Sequence, residues 1–302
     1  RTPGVISAVT YPKERTRLLT RGMQMQTVTA FLASLLMMPI VYAIGGTDTI
    51  NQKGMQGIAI IFSALYCIFC WIFFYNLRDW KDSDHSILAR QQSRVYGAVK
   101  LFFTNGKVFS YAMAAFICTT GETLLKSMIT YVFIYSLMAE YQVSTYNWLI
   151  VVMAFIGSTA VAFLSKKMAN RNIWRMGYFL FGVMLVLGYL IQGVPYATLI
   201  CVGLGFMCLN FSRPVGIPIW GDVADYIRLE KGQNRMSDIM TVFNLQFKLA
   251  GFLAMAGSSV LAMVGFQTGV DPTPEVAHNI ITAGLLVPAA FLIVGPLFHL
   301  AF

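Results

Sequence analysis

Residues 108–137 read VFSYAMAAFICTTGETLLKSMITYVFIYSL, and Glu122 and Lys126 are the only charged side chains among them. The run exceeds the ~20 residues an α-helix needs to cross a bilayer's hydrocarbon core. A charge at the centre of such a helix costs about 2.5–3.5 kcal/mol on insertion scales, so it persists where it faces protein or a watery chamber. The stretch is therefore both an expected membrane span and a candidate wall of a solute path. Comparable apolar runs lie at about 23–44, 54–76, 145–165, 176–193, 197–219, 237–264 and 279–301, which makes eight with the first. Two of these also carry a charge at depth, Arg213 and Lys248.

Composition agrees. The 302 residues are 57% hydrophobic and 12% charged, with a mean hydropathy of +0.65. A soluble domain carries about 25% charged residues, so the expected fold class is an all-α polytopic membrane protein. A transmembrane barrel would show alternating ten-residue segments, and none is visible. The net charge of +9 is unevenly spread. Arg1, Lys13, Arg15, Arg17 and Arg21 precede the first span, and a second basic group lies between residues 78 and 107. Lys166, Lys167, Arg171 and Arg175 form a third, and Arg228, Lys231 and Arg235 a fourth; the alternate loops hold only Lys53. This asymmetry is a topology signal that places both ends on the cytoplasmic side, and it argues against nucleic acid as a partner. The chain opens on Arg1 and stops at Phe302 directly after an apolar run, which we read as a piece of a longer protein.

Three constellations stand out. Thr119, Glu122, Lys126 and Thr130 recur at spacings of three and four and so share one helical face. Glu122 and Lys126 either neutralise each other to fix helix packing or face a solute cavity, and spacing alone leaves both open. In 197–219 and just beyond come Asn210, Arg213, Pro214, Gly216, Pro218 and Trp220; two prolines four residues apart should kink or unwind the helix. Interrupted helices mark binding sites in transporters, and the planar fork of Arg213 suits an anionic group. The third is Thr241, Asn244 and Lys248 on one face, followed by Gly251. Lys126, Arg213 and Lys248 against Glu122 alone leave a surplus of two positive charges for missing carboxylates or an anionic solute to balance. Tyr131 and Trp220 could stack on a sugar ring. Cys67-x-x-Cys70 lies inside an apolar run with no second pair and no nearby His, so packing thiols are expected rather than a metal site. No nucleophile elbow, His-Asp pair or metal cluster points to an enzyme.

Beyond spacing, Gly221-Asp222-Val223-Ala224-Asp225-Tyr226, then Lys231-Gly232 and Arg235, then Phe247-Lys248-Leu249-Ala250-Gly251, resemble the signature of the glycoside–pentoside–hexuronide:cation symporters. These melibiose permease-like proteins belong to the major facilitator superfamily. Thr10-Tyr11-Pro12-Lys13-Glu14-Arg15-Thr16 is similar to a second motif of that family. Tyr11 replaces an acidic or Asn residue, Ile227 replaces a Gly, and Arg235 sits one place late.

The resemblance implies that the eight spans are helices 5–12 of a twelve-helix bundle lacking its first four. Residues 1–76 would end the N-terminal bundle, 77–107 would form a central cytoplasmic loop with a surface helix, and 108–302 would form the C-terminal six-helix bundle. It further implies a cytoplasmic gate of Asp222, Asp225, Tyr226, Arg235 and Arg15, with Lys248 near the solute.

The expectation is thus a cation-coupled secondary transporter in the cell membrane. It would move a sugar or glycoside, acidic sugars such as a hexuronide included, with Na+ or H+ by alternating access. The candidate solute site is Lys126, Arg213, Trp220, Lys248, Asn244, Glu122 and Tyr131. Partners would be the solute, the coupling cation and the bilayer, with no cofactor or bound metal and a monomer as the working unit. The alternatives are a lysolipid or other amphiphile carrier on the same scaffold, or a non-transporting membrane sensor.

Overall fold

The computed structural model describes residues 52–77, 95–139, 141–231, 235–254, 257–267 and 272–299, with scattered positions between 21 and 46. The first motif, with Arg15, lies outside the described residues, as do 78–94 of the central loop. Every regular element among the described residues is helical. They fall into two units, one within 26–92 and the other comprising everything from 93 onward together with the described residues before 26.

In the smaller unit, helix α1 (Gln52–Leu77) is 26 residues long. It is apolar on all sides, with Tyr66, Phe69, Trp71, Phe74 and Tyr75 exposed. A helix that is hydrophobic all round suits lipid and not water.

The larger unit begins with a short helix, α2 (Val95–Thr104), followed by α3 (Gly106–Tyr131). Asn105 separates them by capping: its Oδ1 accepts from the Lys107 and Val108 amides at 3.1 and 3.2 Å. This meets two of the donors that a helix start leaves open. The last turns of α3 widen into a π-helix over Val132–Ser136. Then come α4 (Tyr141–Lys167), α5 (Asn170–Leu190), α6 (Pro195–Lys231), α7 (Met236–Ala254) and the short α8 (Gly257–Met263). Finally α9 (Pro274–Ile281) runs through a second π segment, Thr282–Leu286, into α10 (Val287–Phe298).

Among the described residues, six stretches are long and apolar enough to cross a membrane: 52–76, 106–136, 145–167, 170–190, 195–230 and 274–298. The expected span 23–44 includes residues outside those described. The expected span 237–264 is divided between α7 and α8. Helix α7, which carries Asp238, Asn244, Gln246 and Lys248, is not among the six.

Within the larger unit α6 is flanked by α4 and α5, α5 meets α10, α10 meets α3, and α3 meets α7, with α2 bridging α3 and α7. Close approach is built on small residues, as in membrane bundles generally. A Cβ on Gly177 would strike Ser212 Oγ and lie 2.6 Å from the Cys208 carbonyl, so α5 and α6 touch backbone to backbone there. The Ser212 hydroxyl uses that contact to donate to the Trp174 carbonyl at 2.7 Å.

Candidate functional site

Glu122, two-thirds of the way along α3, is buried, and it gathers two cations. Lys126, one turn on, donates to its Oε1 at 2.6 Å, and the Arg213 guanidinium reaches across from α6 to the same oxygen. The carboxylate side chain is 8% exposed, while those of Lys126 and Arg213 are 42% and 38% exposed. The acid is thus the sunken anchor, and both cations lie at the edge of open space. Taking a carboxylate out of water is costly unless charge and hydrogen bonds replace its hydration, and here two donors do so. Glu122 thus pairs with Lys126, and Arg213 joins the same carboxylate. Arg213 does not reach along its own helix toward Asp222 and Asp225.

Two prolines follow Arg213, yet α6 continues as one helix of 37 residues with Pro214 and Pro218 inside it. The expected unwinding does not occur. Contacts from neighbouring helices hold this stretch in place: Tyr111 Oη donates to the Gly216 carbonyl at 2.9 Å, and Ser212 is tied to α5. Because the helix persists, the binding-site argument from broken backbone does not apply here.

Trp220 is a correction. Its ring is 1% exposed and packed between Tyr111, centroid 4.7 Å away, and Phe243 at 5.9 Å. Trp174 and Tyr178 extend this cluster on α5. No face of the Trp220 ring is open to a solute; it is a core residue. Its place in a polar, proline-rich stretch suggested otherwise, since burial cannot be read from neighbours along one chain.

Tyr131 is half-buried near the far end of α3, stacked on Tyr135 with centroids 6.1 Å apart. Phe266 meets both edgewise at 5.5 and 4.9 Å. This aromatic group lies more than two turns beyond Glu122, so Tyr131 does not line the ion cluster. Lys248 and Asn244 are exposed on α7. Asn244 donates to the Met240 carbonyl at 2.8 Å. Among the described residues, the ion cluster holds Glu122, Lys126 and Arg213, and Lys248 is not part of it.

The residues expected at the gate lie at the basic end of α6 and the start of α7. Asp222, Asp225 and Tyr226 are exposed there, and Arg235 is half-buried just before α7. The Lys107 ammonium stands over the Tyr226 ring, 3.4 Å from its centroid. This cation–π contact between α3 and α6 escaped the sequence reading, although Lys107 in the basic loop was a visible signal. No group of three or more metal-binding side chains occurs among the described residues.

A multi-pass helical bundle with charges paired at depth defines the class: an integral membrane protein of the solute-carrier kind. The chain belongs to the MFS/sugar transport protein family, whose profile it matches over residues 4–302. That is a family of transporters, not enzymes. It is also 20% identical over 280 residues to an uncharacterized symporter, YjmB, of Bacillus subtilis (strain 168). The match covers 89% of this chain and 59% of the relative, so the chain spans about three-fifths of that protein's length.

Proposed function

We propose that the protein of which this chain forms part is a cation-coupled symporter for a sugar or glycoside, with an acidic sugar such as a hexuronide as the preferred cargo. One observation carries the reading: the Glu122 carboxylate is sunk in the bundle while Lys126 and Arg213, both bound to it, border open space. Two cations and one anion leave a net positive site, which an anionic solute complements and a neutral wall would not. Arg213 offers further guanidinium donors for a carboxylate of the cargo. Lys248 and Asn244 on α7 supply a second polar wall.

Cargo would enter and leave by alternating access, with the basic end cytoplasmic and the bundle working as a monomer in the cell membrane. Na+ or H+ would drive the cycle. The Lys107–Tyr226 contact and Asp222, Asp225 and Arg235 would close the cytoplasmic end.

The test is uptake of labelled glucuronides and of matched neutral glycosides by the full-length protein in proteoliposomes, with imposed sodium and proton gradients. Arg213→Ala should abolish glucuronide uptake, and Lys248→Ala should reduce it at least tenfold. Full uptake by both variants would remove these residues from the site, and gradient-independent uptake would remove the coupling.

A further inference from the structure

A cavity of about 280 Å³ lies where α2 crosses α3 and α7, and none of Glu122, Lys126 and Arg213 lines it. Phe102 and Phe103 of α2, Met113 and Phe116 of α3, and Leu245 and Leu249 of α7 form its walls. Its volume is close to the lower end of the ~300–1,000 Å³ typical of small-molecule sites.

The apolar walls alone would say little, since gaps between helices in a membrane fill readily with lipid. The informative group is Gln246. It lines the cavity, it is only 5% exposed, and its Oε1 is buried without a hydrogen-bond partner. Buried acceptors are nearly always satisfied, and leaving one unmet is costly. An apolar side chain of similar size would fill this position without that cost. An aromatic wall around one unmet acceptor is the pattern of a pocket that orients its ligand through a single hydrogen bond.

We propose that this cavity is a binding site for a small neutral amphiphile, with an aromatic or branched apolar body and one hydroxyl or N–H that donates to Gln246. The absence of charged lining excludes an ionic head in the pocket. On α7 the lining runs from Thr241, on the face of Asn244 and Lys248, round to Val242, Leu245 and Leu249. An occupant touches α2, α3 and α7 at once and would hold the short helix against the bundle.

The experiment uses the full-length protein in phosphatidylcholine nanodiscs with two probes of the same ring system: 2-naphthol, which has a donor, and 2-methoxynaphthalene, which has none. The shift of the unfolding temperature with probe concentration gives an apparent Kd for each. The native protein should bind 2-naphthol about tenfold more tightly, the value of one hydrogen bond to a buried acceptor. Gln246→Leu should erase that preference, with the ether bound as before, and should raise the unfolding temperature without probe. Val99→Trp plugs the cavity from α2, where Val99 is 40% exposed and a larger ring is tolerated; it should weaken both probes at least tenfold. Equal binding of the two probes to the native protein, or a preference that survives Gln246→Leu, overturns the proposal. So does unchanged binding in Val99→Trp.

Discussion

Glu122 is the residue on which the charge balance of the bundle turns. With it, Lys126 and Arg213 share one carboxylate oxygen; without it, two like charges would face each other beside a helix interface. Breaking a fully buried ion pair costs about 3–5 kcal/mol, but exposure of both cations here screens part of the repulsion. Glu122→Gln should therefore lower stability by about 1–3 kcal/mol, read as a fall in unfolding temperature in detergent. Lys126→Met leaves a neutral Glu122–Arg213 pair, so its stability should change by less than about 1 kcal/mol. If the cargo is anionic, that variant should still raise the KM for a glucuronide and leave a neutral glycoside untouched. Trp220 gives the opposite pattern. Trp220→Ala opens a cavity in the aromatic cluster at a cost of about 3–5 kcal/mol, while Trp220→Phe should lower the unfolding temperature with no change in KM. A KM rise confined to one solute in Trp220→Phe would return that ring to the binding site.

Between residue and fold stand the two π segments, and they touch each other. A Cβ on Gly284, in Thr282–Leu286, would strike Cγ2 of Val132, in Val132–Ser136. Wider turns of this kind are uncommon and often mark functional positions. Val132 is β-branched and stiff, so it cannot swing aside to admit a larger neighbour. Gly284→Val should cost about 1–3 kcal/mol by overpacking, measured by chemical or thermal unfolding, and Val132→Ala in the same chain should restore part of the loss. At this scale six of the eight expected spans were legible among the described residues, because the apolar runs are long and the basic loops punctuate them. The π segments were not, because a one-residue widening leaves no mark in apolar periodicity. Nor was the continuity of α6 through Pro214 and Pro218, since the stabilising contacts from Tyr111 and Ser212 come from other helices or face them. Glu122–Lys126 could be read from a spacing of four; Glu122–Arg213, separated by 91 positions, could not.

For the molecule as a whole, the distribution of charge is the strongest organising fact. Lys166 and Lys167 end α4, Arg171 and Arg175 begin α5, and Arg228 and Lys231 close α6, so three successive helices carry their cations at one end. Arg175 is held there, its guanidinium donating to the His299 carbonyl at 2.7 Å at the end of α10. The opposite end has Gln192 and Gly193 between α5 and α6, with Glu275 in the first turn of α9. Insertion retains cationic loops in the cytoplasm, so these two ends should face different compartments. Single cysteines test this directly, because Cys67, Cys70, Cys118, Cys201 and Cys208 all lie inside apolar helices. In the full-length protein in intact cells, Glu275→Cys should react with a membrane-impermeant maleimide added outside. Lys167→Cys should react only after permeabilisation. Labelling in the reverse order would invert the bundle.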